Sequence, residues 1–144
     1  MTEKQRDLCI YRFEKAEETI RSSKLCMDNK FFKDSINRSY YAAFYAVKAV
    51  LALEDLDFKR HKDVIAYFNQ HFVVTEIFDR EVGRKLARLQ KKREASDYDD
   101  FFVASMDEAD EQLGVASFIV GTIRKYLVEK AVWQGNDVGE IKSI

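Results

Sequence analysis

The sequence contains no proline and only five glycines in 144 residues. The two residues that most often end a helix are nearly missing, which argues against a turn-rich architecture and favours long uninterrupted helices. Cysteine is scarce too, with Cys9 and Cys26 alone. Two cysteines make no disulfide framework, and both fall on a helical stripe with Phe13, Ala16, Ile20 and Met27, so they read as small core hydrophobes. Histidine occurs twice, at His61 and His71. Without neighbouring cysteines or paired carboxylates they are a poor ligand set, and no metal site is expected. Neither sign of charge dominates, the formal net charge being -1, so no global field draws the chain to nucleic acid or anionic lipid. No apolar run approaches the roughly 18 residues needed to span a bilayer. The N-terminus is charged and lacks a signal-peptide apolar region. The expectation is a cytoplasmic protein that does not enter a membrane. No glycine-rich phosphate loop, G-x-S-x-G or HExxH occurs, and no cofactor is expected.

What is present is apolar and periodic. Hydrophobic residues make up 47% and aromatics 13%, enough for one ordinary domain to bury a core without staples. A first helix is predicted over 2–28, with the inward stripe Cys9, Phe13, Ala16, Ile20, Ser23 and Met27 and an outer face of Glu14, Glu17, Glu18 and Arg21. Asn29 is placed to cap the next helix. The second helix, over 30–55, has three faces. Ile36, Tyr40, Ala43, Phe44, Val47, Val50 and Leu51 form a bulky stripe; Ser39, Ala42, Ala46 and Ala49 form a small one; Asn37, Tyr41 and Lys48 mark a polar border. Such a helix reads as central, and the border is where a bundle could carry a site. A short third helix is predicted over 61–70 and a connector over 71–74. A fourth helix, over 75–95, carries Phe78, Val82, Leu86 and Leu89. Residues 96–104 break the pattern with an acidic, aromatic run. The fifth helix opens on Ser105 and Glu108 at capping-box spacing and carries Ala109, Leu113, Ala116, Val120, Ile123 and Leu127. The sum is all-α: one domain over 1–134, an up-and-down bundle of four long helices and one short one, with a loose tail over 135–144.

Arg93 is the oddity of the fourth helix. It continues the inward stripe, and Asp97 follows one turn later. An inward arginine needs a partner. It forms either a structural pair with Asp97, joined by the Tyr40 or Tyr41 hydroxyl, or a planar fork held at a cleft for phosphate. His61 lies in the basic stretch Lys59-Arg60-His61-Lys62 at a helix start. That stretch is either a solvated helix end or a set of phosphate donors. Arg84, Arg88 and Lys91 share one face of the fourth helix, either as plain solvated charge or as an RNA-tracking surface with Tyr98, Phe101 and Phe102 nearby for stacking. Asp97, Asp99 and Asp100 read as a solvated acidic loop.

Asn37-Arg-Ser-Tyr-Tyr-Ala-Ala-Phe44, then His61-Lys62, then Phe68 to Phe72, then Arg93 and Asp97-Tyr98, together resemble the HEPN family over about residues 5–130. The resemblance implies a helical bundle that forms a homodimer. It implies membership of a toxin–antitoxin or defence system, beside a minimal nucleotidyltransferase. Active members are metal-independent ribonucleases that use an arginine followed, four to six residues later, by a histidine at the dimer interface. Only Arg93 carries over. Asp97, Tyr98, Asp99 or Asp100 stands where the histidine is expected, and no histidine follows residue 71. The reading is therefore a module that binds RNA or a nucleotide, or docks the nucleotidyltransferase, without cleaving. Its binding residues would be Asn37, Tyr41, His61, Lys62 and Arg93. The alternative is a ribonuclease toxin with a degenerate motif, in which Arg93, Asp97 and Tyr98 would be catalytic. The small face of the second helix would allow close helix contact, within the subunit or across the dimer.

Overall fold

The computed structural model describes residues 1–133 and is all-helical there, in the order α1 (Glu3–Asp28), α2 (Phe32–Ala52), α3 (His61–Phe68), a π-helical turn (Asn69–Val73), α4 (Arg80–Tyr98) and α5 (Met106–Glu129). Four long helices and one short one match the periodicity. The tail over 135–144 lies outside the described residues. Contacts fix the up-and-down order. Ser23 of α1 meets Ser35 and Ser39 of α2, while Arg12 of α1 meets the Lys48 carbonyl farther along α2. Tyr41 of α2 meets Arg93 of α4 and Asn37 meets Asp97. Lys92 of α4 meets Glu108 of α5, and Lys85 lies over Phe118. Each of these helix pairs runs antiparallel. None of the helices is long and apolar enough to cross a membrane among the described residues.

The stripes lie inside, as their spacing predicts. Every named stripe residue of α1, α2 and α5 is buried, which supplies the apolar area that drives folding. α2 is the central element. Ser39, Ala42, Ala46 and Ala49 are fully buried within the subunit, so the small face packs inside the bundle and not across a dimer. A buried serine cluster sits at its α1 side. Ser23 Oγ lies 2.8 Å from the Ser35 carbonyl and 2.8 Å from Ser39 Oγ. These bonds satisfy hydroxyls that would otherwise be costly to bury.

Several boundaries move. Asn29 does not cap α2; it ends α1, its side-chain amide donating to the Leu25 carbonyl. α4 begins at Arg80, because the Asp79 carboxylate accepts from the Glu81 N–H at 2.9 Å. Phe78 is therefore a buried residue just outside the helix. At its other end α4 runs to Tyr98, so Asp97 stays helical. The reciprocal capping box forms at Thr2 and Gln5, a Thr-x-x-Gln spacing that is itself the sequence signature of such a cap. At Ser105 the hydroxyl accepts from the Glu108 N–H, but the Glu108 carboxylate is drawn to Lys92 instead. Cys9 is core, and burial pushes its thiol up to about 12, which leaves it unreactive. Cys26 is only half-buried.

The shortage of glycine shows at the helix ends. α1, α2 and α5 each close with a left-handed residue that is not glycine: Lys30, Asp55 and Ala131. The backbone bonds are those of a Schellman cap, for instance Val132 N–H to the Leu127 carbonyl at 2.9 Å and Ala131 N–H to the Val128 carbonyl at 3.0 Å. A side chain in this region costs about 1–2 kcal/mol. Replacing Ala131 by glycine is expected to raise stability by about 0.5–1 kcal/mol after the added freedom of the unfolded chain is subtracted. Thermal unfolding measures it.

Glu17 departs furthest from its expected outer face. It is buried and forms an ion pair with Arg124 of α5, itself only 4% exposed and close to the Phe13 ring. Removing one partner leaves an uncompensated buried charge. Glu17→Ala is expected to cost about 3–5 kcal/mol. The double change Glu17→Leu with Arg124→Met should recover most of that loss in denaturant unfolding.

Candidate functional site

The polar border of α2 becomes a seam. Asn37, Tyr41, Tyr45 and Lys48 are its half-buried positions, spaced so that they line one side of the helix. Arg93 reaches this seam from α4, its side chain 16% exposed. Its Nε lies 3.2 Å from Asp97 Oδ2, with the N–H off the line of the contact. Its Nη2 donates to the Tyr41 hydroxyl at 3.4 Å. The guanidinium also sits over two rings, 5.0 Å from the centre of Tyr40 and 5.4 Å from that of Tyr41, a favourable cation–π arrangement. Asn37 Nδ2 donates to Asp97 Oδ2 at 3.4 Å. Asp97 thus faces Arg93 and Asn37 together, because α4 continues one turn past its expected end.

His61 arrives at the same pair of tyrosines from another helix. The loop after α2 folds back and is pinned there. Asp57 lies 3.5 Å from both Arg12 and Lys48, and Arg12 donates to the Lys48 carbonyl at 3.0 Å. The loop ends at His61, the first residue of α3. Its Nδ1 is 3.2 Å from the Tyr40 hydroxyl. The imidazole stacks on Phe44 at 4.1 Å between centroids and meets Tyr41 edge-on at 5.6 Å. Burial, then the positive charges of Arg93 and Lys48, lower the His61 pKa below its ordinary value near 6.5. The ring is therefore neutral at pH 7. Burial raises Tyr40 to about 12 against the pull of Arg93, so the phenol keeps its proton.

Of the sequence candidates, Asn37, Tyr41, His61, Arg93 and Asp97 come together. Lys62 is exposed and joins none of these contacts. Tyr98 is 74% exposed and takes no part in the hydrogen bonds around Arg93. His71 stacks on Tyr67 at 4.0 Å, away from the seam. Tyr40, a candidate to bring its hydroxyl to Arg93, offers its ring to the guanidinium instead and turns its hydroxyl to His61, 21 residues away. Among the described residues no three His, Cys, Asp or Glu side chains gather as metal ligands would.

Residues 11–126 match the HEPN domain. The chain belongs to the HEPN family. Similar proteins include a "UPF0332 protein" of Thermotoga maritima, 30% identical over 88% of this chain and 96% of the relative. Two proteins of Methanocaldococcus jannaschii, each named "Putative toxin", are 28% and 32% identical. They cover 86% and 79% of this chain, and 84% of each relative. In this HEPN chain the imidazole that shares the Tyr40 and Tyr41 rings with Arg93 comes from α3, not from the next turn of α4.

The depressed His61 pKa has a sign that can be tested. The unfolded chain takes up the proton first, so neutral His61 contributes stability above pH 6.5 that is lost as the pH falls from there toward the lower folded value. In an NMR titration His61 should titrate below 6.5. In Arg93→Met the value should rise part of the way back, burial remaining. An unchanged value would show that Arg93 does not act on the ring.

Proposed function

We propose that this HEPN protein is an RNA-binding module of a toxin-type system and that Arg93 anchors an RNA phosphate at the Tyr40–Tyr41 seam. The observation that carries the reading is the guanidinium itself. Two rings and the Tyr41 hydroxyl fix its plane, Asp97 balances its charge, and Nη1 makes no hydrogen bond to the described residues. A fork held in place with one edge uncommitted suits a phosphate oxygen. Asn37 and His61 flank it as further polar groups. Relatives named as toxins support the class. A minimal nucleotidyltransferase is the partner this reading implies.

The position of His61 favours a second reading, metal-independent cleavage. With Nδ1–H donating to the Tyr40 oxygen, Nε2 keeps its lone pair and the neutral ring is a base of suitable strength. It would take the proton of a 2′-hydroxyl while that oxygen attacks the adjacent phosphorus, a cyclic phosphate forms, and the 5′-oxygen departs, taking a proton from water. Arg93 would hold the charge that builds on the phosphate.

One pair of measurements separates the outcomes. Labelled single-stranded RNA should bind the wild type, and Arg93→Met should weaken binding about tenfold or more and lower the salt slope by about one. Equal binding by a folded Arg93→Met overturns the proposal. With chelator present and total RNA as substrate, cleavage lost in both His61→Ala and Arg93→Met establishes the second reading. No cleavage by the wild type removes it and leaves binding.

A further inference from the structure

A hollow opens in the groove between α1 and α2, and Tyr45 joins it to the Arg93 seam. It measures about 380 Å³ and is lined by Tyr11, Glu14, Lys15 and Glu18 of α1 and by Arg38 and Tyr45 of α2. Small-ligand sites span about 300–1,000 Å³. The pairing of the two helices accounts for this set. Ser23 faces Ser39 and Arg12 reaches the Lys48 carbonyl, which sets Lys15 opposite Tyr45 and Ser22 opposite Arg38. Lys15 Nζ accordingly lies 4.7 Å from the centre of the Tyr45 ring. Thr19 and Ser22 complete the lining, but the Thr19 hydroxyl is spent on the Lys15 carbonyl at 2.7 Å. Tyr45 also belongs to the polar border of α2. Its ring is 5.9 Å from that of Tyr41, over which the Arg93 guanidinium sits.

The hollow holds charges of both signs in balance, Glu14 and Glu18 against Lys15 and Arg38. Glu14 and Glu18 stand one turn apart on α1, a like-charge spacing that is mildly unfavourable in a helix. Among the described residues neither carboxylate, nor Arg38, forms an ion pair or a side-chain hydrogen bond. A phosphate is repelled here by the two carboxylates, and a simple cation by Lys15 and Arg38. What suits the set is a neutral flat ring that donates at one edge and accepts at another, with tyrosines to stack on. We propose that the hollow is a base subsite for a guanine of the RNA strand whose phosphate Arg93 anchors, an inference that rests on the phosphate-anchor reading. Guanine alone among the RNA bases presents two adjacent donors, N1–H and the 2-amino group, and two adjacent acceptors, O6 and N7. Glu14 and Glu18 accept from the donors, and Arg38 and Lys15 donate to the acceptors. Tyr11, 62% exposed, and Tyr45 supply the stacking surfaces that a splayed single-stranded base uses. Lys15 covers the Tyr45 ring in the free protein, and its exposed, flexible chain swings from the ring to the base as the base enters. From the subsite, Tyr45 and Tyr41 form an aromatic track to Arg93.

The test is fluorescence anisotropy with short labelled RNAs: an oligouridylate, and the same oligomer carrying one central guanosine, adenosine, cytidine or inosine. The wild type is expected to bind the guanosine oligomer about tenfold more tightly than the all-uridine one. Inosine, which lacks only the 2-amino group, should lose most of that gain. Glu14→Ala with Glu18→Ala changes two exposed positions to the residue that best tolerates a helix. It should bring the guanosine and all-uridine oligomers to equal affinity, and Tyr11→Ala should narrow the gap between them. Arg93→Met should weaken every oligomer by a similar factor and leave their ratio standing, which separates the phosphate anchor from the base subsite. No binding of any oligomer by the wild type overturns this inference together with the phosphate reading beneath it. Equal binding of all the oligomers overturns the base subsite alone. A guanosine preference that survives Glu14→Ala with Glu18→Ala places the base elsewhere and overturns the subsite too, as does a preference for a base other than guanine.

Discussion

The burial of α2 is the constraint on which the rest of the structure depends. Its small face lets neighbouring backbones approach closely, and its bulky face fills the centre. A larger side chain at Ala42, Ala46 or Ala49 would meet a packed wall at zero exposure, where overpacking is destabilising. Surrounded in this way, the helix can show polar groups only along one narrow line. That line is Asn37, Tyr41, Tyr45 and Lys48. The place of the candidate site is therefore a consequence of packing. The chemistry collects at the one strip that the core leaves open.

Arg124 and Arg93 both turn inward in this bundle, and they meet different fates. Arg124 is closed in by Glu17 and lies close to the Phe13 ring. Its charge is matched by a buried carboxylate, and solvent hardly reaches it. Arg93 has a carboxylate partner too, but Asp97 is 30% exposed at its side chain and is shared with Asn37. The first pair ties α1 to α5. The second leaves part of a guanidinium facing outward on a rigid aromatic floor. Between these two pairs, it is burial of the carboxylate that separates the structural one from the candidate site.

The stripes of α1, α2 and α5 were legible in the sequence because core packing repeats with the helical period. So were the inward turn of Arg93 and its pairing with Asp97, which depend on spacing within one helix. The caps were not. Lys30, Asp55 and Ala131 occupy left-handed positions that glycine normally marks, and none of the three signals such a turn. Glu17 was misplaced for a different reason. On its own helix it belongs with Glu14 and Glu18, and only α5, which supplies Arg124, draws it inward. Periodicity describes one helix at a time, so it misses any charge whose partner lies on another.

The same limit explains the histidine. Along α4 the positions one turn after Arg93 are Asp97 and Tyr98, and no histidine follows residue 71. In space an imidazole is close by, because Asp57 is held between Arg12 and Lys48 and the loop it anchors returns His61 to Tyr40. The ring then shares both tyrosines with Arg93. A proton-transfer group is defined by where it sits and how its pKa is tuned, not by its distance along the chain. Arg93 and His61 lie 32 residues apart along the chain, and the fold brings both to one aromatic floor.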